Sequence, residues 1–79
     1  MSDIRVPDDL WATNMMPEGL LERWLVPDGA SVPAGAPLAM VRIEGALHEI
    51  ISPVAGLLRV SVGSGQMIEP GSVVAQLDL

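Results

Sequence analysis

Proline and glycine interrupt this chain so often that no stretch between them is long enough for a stable helix. Seven prolines and eight glycines are spread over 79 residues. The segments between them run about 4 to 8 residues, the usual length of a β-strand. Strand-like apolar segments fall at residues 4–6, 19–26, 32, 38–43, 46–51, 56–62 and 73–79. This spacing predicts an all-β domain of seven or eight short strands.

The pattern of glycines and apolar residues occurs twice. Residues 19–43 match residues 56–79, and one residue is lost in the first turn of the second copy, so the offset changes from 37 to 36. Each copy is too small to bury its own apolar face, which predicts a sandwich with pseudo-two-fold symmetry. Glu44-Gly45 lies between two apolar runs and is a hairpin signal that joins the halves. The pseudo-two-fold axis would relate this hairpin to the region of the two chain ends.

Charge excludes several classes of partner. Ten acidic residues face four basic ones, giving a net charge of −6, so nucleic acids and anionic membranes are not expected to bind. There is no apolar run of roughly 18 residues for a membrane span and no secretory signal pattern, so a cytoplasmic location is expected. The chain has no cysteine, and all four basic residues are arginine, at positions 5, 23, 42 and 59.

Several short motifs, in order, resemble the biotinyl/lipoyl attachment domain family. They are Glu18-Gly19 with Trp24-Leu25, Gly29-Ala30-Ser31-Val32, Gly35-Ala36-Pro37-Leu38, Ser52-Pro53-Val54-Ala55-Gly56, and Gly65 through Pro70-Gly71. The length of 79 residues predicts one domain, over residues 1–79, and the resemblance covers most of it. The resemblance implies a flattened barrel of two four-stranded sheets with pseudo-two-fold symmetry, in agreement with the repeat.

Members of this family carry lipoate or biotin on a lysine at the tip of the central hairpin. That lysine lies eight residues before the proline matching Pro53, which places Gly45 at the attachment position. Lipoyl domains read Asp-Lys-Ala at the tip and biotinyl domains read Ala-Met-Lys-Met, and Glu44-Gly45-Ala46 fits the lipoyl pattern better on both sides of the missing lysine. The segment His48-Glu49-Ile50 has some likeness to the biotinyl version, so both ancestries stay open.

The missing lysine has a chemical consequence. Glycine offers no amine to acylate, and arginine stays protonated and is not a nucleophile near neutral pH. The chain is therefore expected to carry no covalent cofactor, neither lipoate nor biotin. Gly45 also suits a turn position with positive φ, so the hairpin is expected to form without the cofactor.

A surface for a partner protein is predicted beside the hairpin. By resemblance, the segment with Trp11, Met15 and Met16 forms a loop next to the turn Glu44-Gly45-Ala46, and partner enzymes of the family recognise both. Exposed Trp and Met side chains recur at interfaces, and a Trp11→Ala change is expected to weaken docking without harming the fold. An equally weighted alternative is that Leu10, Trp11 and one Met fold down over the end of the barrel.

Three functions follow from these residues. The leading one is a non-catalytic interaction module. The family resemblance implies that this module belongs to a 2-oxo acid or acetoin dehydrogenase or a related acyl-transfer complex and binds a dehydrogenase or acyltransferase subunit. The second is a structural relic or oligomerisation domain of a larger carrier protein, or a homodimer formed through an exposed sheet edge. The third is a carrier whose lysine at position 45 was altered. An independent enzyme is not expected, since no nucleophile–base pair or metal set is visible, and His48 is interpreted as structural.

Overall fold

The protein, described from a computed structural model for residues 2–11 and 19–79, is built from eight β-strands. The strands are β1 (Ser2–Arg5), β2 (Gly19–Trp24), β3 (Ser31–Val32), β4 (Pro37–Ile43), β5 (Ala46–Ile51), β6 (Gly56–Val60), β7 (Met67–Ile68) and β8 (Val73–Asp78). One short 3₁₀ turn spans Asp8–Leu10, and these residues form no α-helix. The prediction of an all-β domain is confirmed.

The strands form two four-stranded antiparallel sheets. One has the order β1-β8-β6-β3 and the other β5-β4-β2-β7. The two halves exchange a strand, because β3 from the first half pairs with β6, and β7 from the second half pairs with β2. Strands β1 to β4 are thereby equivalent to β5 to β8 in the same order, as a pseudo-two-fold sandwich requires.

Hydrogen bonds outside the strand ladders repeat with the same symmetry. The Leu21 amide donates to the Gln66 carbonyl at 2.9 Å, and the equivalent Leu58 amide donates to the Ala30 carbonyl at 2.8 Å. Leu21 and Leu58 differ by 37 positions, whereas Ala30 and Gln66 differ by 36. The one-residue difference between the copies therefore falls in the turn after β2 and β6, as the repeat predicted.

The core lies between the sheets and takes side chains from both halves. Its members are Ile4, Val6, Trp11, Leu21, Val32, Leu38, Ala39, Val41, Ile43, Ile50, Leu58, Ile68, Val74, Ala75 and Leu77. Trp24 packs against this core, and its indole Nε1 donates a hydrogen bond to the Val62 carbonyl at 2.8 Å. Burial of these apolar side chains supplies the main stabilising free energy of a domain this small.

The Ser52-Pro53 motif ends the central hairpin at a fixed point. The Ser52 hydroxyl donates to the Val54 carbonyl at 2.6 Å. The Ser52 amide donates to the Ala36 carbonyl, and the Ser52 carbonyl accepts from the Gly35 amide. These bonds hold the end of β5 against the turn that precedes β4.

Within the described ranges, no helix is long and apolar enough to cross a membrane.

Candidate functional site

The central hairpin joins β4 and β5 through a two-residue turn. Ile43 pairs with Ala46, and Glu44 and Gly45 form the turn between them. Their φ angles are +52° and +83°, and positive values at both central residues define a type I′ turn. This turn matches the right-handed twist of the flanking strands. The prediction of positive φ at Gly45 is confirmed.

The tip of the hairpin projects into solvent. Glu44, Gly45 and Ala46 are all exposed, and a Cβ atom added to Gly45 would meet no other atom within 4 Å. A longer side chain at position 45 would therefore extend away from the domain, and its only steric cost would come from the positive φ.

Neither biotin nor lipoate fits this tip as a covalent group. Each would need an amine on residue 45, and glycine has none. The nearest basic residue along the chain, Arg42, forms an ion pair with Glu22 at 3.2 Å. Its guanidinium stays protonated and does not form an amide. The residues present at the tip do not supply an acceptor for either cofactor.

Trp11 lies beneath the base of this hairpin and is not an exposed contact residue. Its side chain is 6% exposed, and its Cζ2 atom lies 2.9 Å from the place where a Cβ of Gly19 would sit. Gly19 pairs with Ile43, the last residue before the turn. The prediction of an exposed Trp11 is wrong, because a small core uses this large side chain to close its end. Leu10 packs against the same core, so for both residues the alternative arrangement holds.

The remaining predicted contact residues separate into two groups. Met15 and Met16 lie outside the described residues, and their part in docking stays a prediction. Glu44, Gly45 and Ala46 are together at the exposed tip. Of the predicted surface, the structure therefore places the turn in solvent and removes Trp11 from it.

His48 has no partner set for catalysis or metal binding in the part of the chain described. It is half-buried on β5, opposite the buried Val41, whereas its neighbour Glu49 is exposed. The two side chains lie on opposite faces of the strand, as the period of two in a strand requires. Among the described residues, no group of three or more His, Asp or Glu side chains is placed to hold a metal ion.

Two exposed apolar residues on β5 are absent from the predicted contact surface. Leu47 is 49% exposed and Ile51 is 46% exposed. They alternate with the more buried His48 and Ile50. The period of two along residues 47–51 was therefore the sequence pattern that could have indicated them. That alternation places Leu47, Glu49 and Ile51 together on the outer face of the sheet.

Comparison with known proteins relates the chain to enzymes that use biotin. Residues 2–77 match the family described as "biotin-requiring enzyme". Acetyl-CoA carboxylase 2 of Oryza sativa subsp. japonica is 39% identical over 59 residues, which is 75% of this chain and 2% of that protein. Acetyl-CoA carboxylase 2 of Arabidopsis thaliana is 34% identical over 59 residues, 75% of this chain and 2% of the relative.

A third relative is acetyl-CoA carboxylase of Dictyostelium discoideum, 31% identical over 61 residues, which is 77% of this chain and 3% of the relative. The chain thus spans a few per cent of the length of these relatives. They are carboxylases by name, so they do not support the expected link to 2-oxo acid or acetoin dehydrogenases, which stays a prediction.

Proposed function

Since this chain belongs to the family of biotinyl/lipoyl attachment domains, we propose that it is a lysine-less member that carries no covalent cofactor and acts as a module for binding another protein. A carrier-type domain of this family is not itself catalytic. Its part in an enzyme therefore depends on the protein to which it binds.

The observation that carries this proposal is Gly45 at the attachment position. The hairpin around it is complete, with a type I′ turn and an exposed tip. The acceptor lysine is missing from the tip and from the rest of the 79 residues. Such a domain keeps the family's fold and hairpin, and with them a shape that other proteins recognise. Because it lacks the acceptor lysine, it loses the group that carries acyl or carboxyl units.

The relatives favour a partner on the biotin side of the family. They are named acetyl-CoA carboxylases, and the match of segment 48–50 to the biotinyl version of the motif agrees with them. We therefore place the partner among the subunits or domains of a biotin-dependent carboxylase. A dehydrogenase or acyltransferase subunit is the alternative partner, since the tip itself reads more like a lipoyl domain.

Two ligase reactions test the absence of a covalent cofactor. The purified protein is incubated with ATP, biotin and a biotin ligase, and separately with ATP, lipoate and a lipoate ligase, and intact masses are measured. We expect no mass gain for the natural sequence. Gly45→Lys is expected to gain one biotinyl or lipoyl group, and the identity of the group decides between the two ancestries. Gly45→Arg is the matched control, with a similar length and charge but no acylable amine.

A mass gain on the natural sequence would refute the proposal directly. Failure of Gly45→Lys to react with either ligase would show that the tip has lost more than its lysine. The partner is tested separately, by titrating the natural protein with purified subunits of a biotin-dependent carboxylase and of a 2-oxo acid dehydrogenase. Absence of binding to both would leave the domain without the interaction role proposed here.

A further inference from the structure

The two sheets have four edge strands, and three of them are protected against pairing with another strand. β3 and β7 are edges of two residues each, too short to template a partner. β1 carries two exposed charged side chains, Asp3 and Arg5, which form an ion pair at 3.4 Å. Short length and charge are the usual means by which a sheet edge avoids additional pairing.

The fourth edge, β5, is less protected, because it is the longest of the four and has one charged side chain, Glu49, among its outward-facing residues. It is six residues long and pairs only with β4 among the described strands. In the outward-facing positions it has Leu47, Glu49 and Ile51, two of them apolar and about half exposed. The pseudo-two-fold equivalents of Glu49 and Ile51 on β1 are Asp3 and Arg5, as the pairings of Glu49 with Met40 and of Asp3 with Gln76 show. The fold therefore accepts a charge where β5 has Ile51.

The backbone of β5 offers hydrogen-bonding groups at the same residues. In an antiparallel ladder, alternate residues bond to the neighbouring strand and the others point away from it. Ala46 pairs with Ile43 beside the turn, and the Ser52 amide donates to the Ala36 carbonyl. The backbone amides and carbonyls of the even-numbered residues of β5 therefore point toward β4. The amides and carbonyls of Leu47, Glu49 and Ile51 therefore point outward, in the geometry that an added strand requires.

A second copy of this chain fits the β5 edge poorly. An antiparallel pairing that sets Leu47 against Ile51 of the other copy places the two Glu49 side chains opposite each other, because position 49 lies midway between 47 and 51. Like charges directly opposite are destabilising in a sheet. Each copy also has a net charge of −6, which adds long-range repulsion.

We propose that β5 is a docking edge for an extended segment of a partner protein, with a basic side chain opposite Glu49 and apolar side chains opposite Leu47 and Ile51. Such a segment reads apolar-x-basic-x-apolar. The acidic balance of the chain attracts a basic segment, and the two apolar side chains fix its register. This inference rests on the proposed interaction role, and it names the surface and the partner chemistry for that role.

A pair of matched peptides tests the docking edge. Capped Thr-Val-Thr-Lys-Thr-Val-Thr has the required pattern and reads the same in both directions, so it assumes no strand direction. Its control has Glu in place of Lys. NMR titration follows the amide shifts and hydrogen exchange of the protein. We expect the Lys peptide to bind about tenfold more tightly than the Glu peptide, with shifts and protection at Leu47, Glu49 and Ile51 and none at Asp3 and Arg5.

Two variants make the assignment specific. Glu49→Lys is expected to reverse the preference between the peptides, and Ile51→Arg, which copies Arg5 of β1, is expected to weaken both. Both positions are exposed, so neither variant removes core packing. Equal binding of the two peptides, no response at β5, or an equal response at β1 would each overturn the proposal.

Self-association gives a further decisive outcome. If the protein alone sediments as a dimer with the Leu47 and Glu49 amides protected, a second copy occupies the edge and the proposal is wrong. The ligase reactions on the natural sequence depend on whether it has an amine to acylate, so they report on the missing cofactor independently. A failed peptide titration with an unmodified natural protein would remove the docking edge and leave the lysine-less assignment standing.

Discussion

Truncation of Trp11 to alanine is expected to destabilise the whole domain. The side chain is 6% exposed and packs against Gly19 at the base of the central hairpin. Replacing a buried Trp or Phe by Ala costs about 3 to 5 kcal/mol, from lost apolar burial and the cavity left behind. At the usual stability per residue, a domain of this length has a free energy of unfolding of about 4 to 12 kcal/mol. The variant should therefore lose at least a quarter of that free energy, and at the lower end of the stability range it should lose all of it.

Urea unfolding monitored by circular dichroism measures this loss. The Trp11→Ala protein keeps a single tryptophan, Trp24, whose fluorescence gives a second probe of the same transition. Leu47→Ala, at an exposed position on β5, is the control and should change the free energy of unfolding by no more than about 0.5 kcal/mol. A loss below about 1 kcal/mol for Trp11→Ala would refute the packing argument.

This result also decides how docking should be tested. Trp11→Ala cannot serve as a surface variant, because a lower affinity would report unfolding as well as lost contact. Variants on the exposed turn and at the exposed β5 positions Leu47, Glu49 and Ile51 leave the core intact. They separate the contribution of a surface from the stability of the fold.

Three further stability predictions can be checked by the same unfolding measurement. Gly45→Lys should lower the free energy of unfolding by about 1 to 2 kcal/mol, because φ at this position is +83°. An unchanged free energy of unfolding would show that the turn relaxes. Gly19→Ala should cost about 1 to 3 kcal/mol, because its Cβ would lie 2.9 Å from Trp11, and a smaller cost in a Trp11→Phe background would confirm that clash. Trp24→Phe should cost about 1 kcal/mol through loss of the hydrogen bond to Val62; no loss would mean that water replaces the indole.

The strands and the central hairpin could be predicted because local chemistry specifies them. Breakers bound each strand, and the apolar alternation within it indicates which face is buried. Glu44-Gly45 between two apolar runs indicated the turn, and the positive φ values of both residues confirm it. The repeat predicted the two-fold arrangement because each half has too little apolar area to stand alone.

The position of Trp11 could not be predicted in the same way. It follows a 3₁₀ turn and precedes no periodic segment, so nothing local indicates the direction of its side chain. Its burial depends on Gly19, a residue in another element whose missing side chain makes room for the ring. The exchange of β3 and β7 between the halves could not be predicted either, because a strand of two residues is too short to show an alternation of apolar and polar residues.

The pseudo-symmetry allows what the fold requires to be separated from what it only permits. The core contains no residue of the turn 44–46, so the acceptor lysine can be lost from the tip without a change in packing. Equivalent edge positions on β1 and β5 carry Arg5 and Ile51, and both are compatible with the same architecture. Folding therefore does not require the apolar side chain on β5. A requirement for an apolar side chain on β5 and not on β1 must therefore come from outside the domain. A partner strand that pairs with β5 would supply such a requirement.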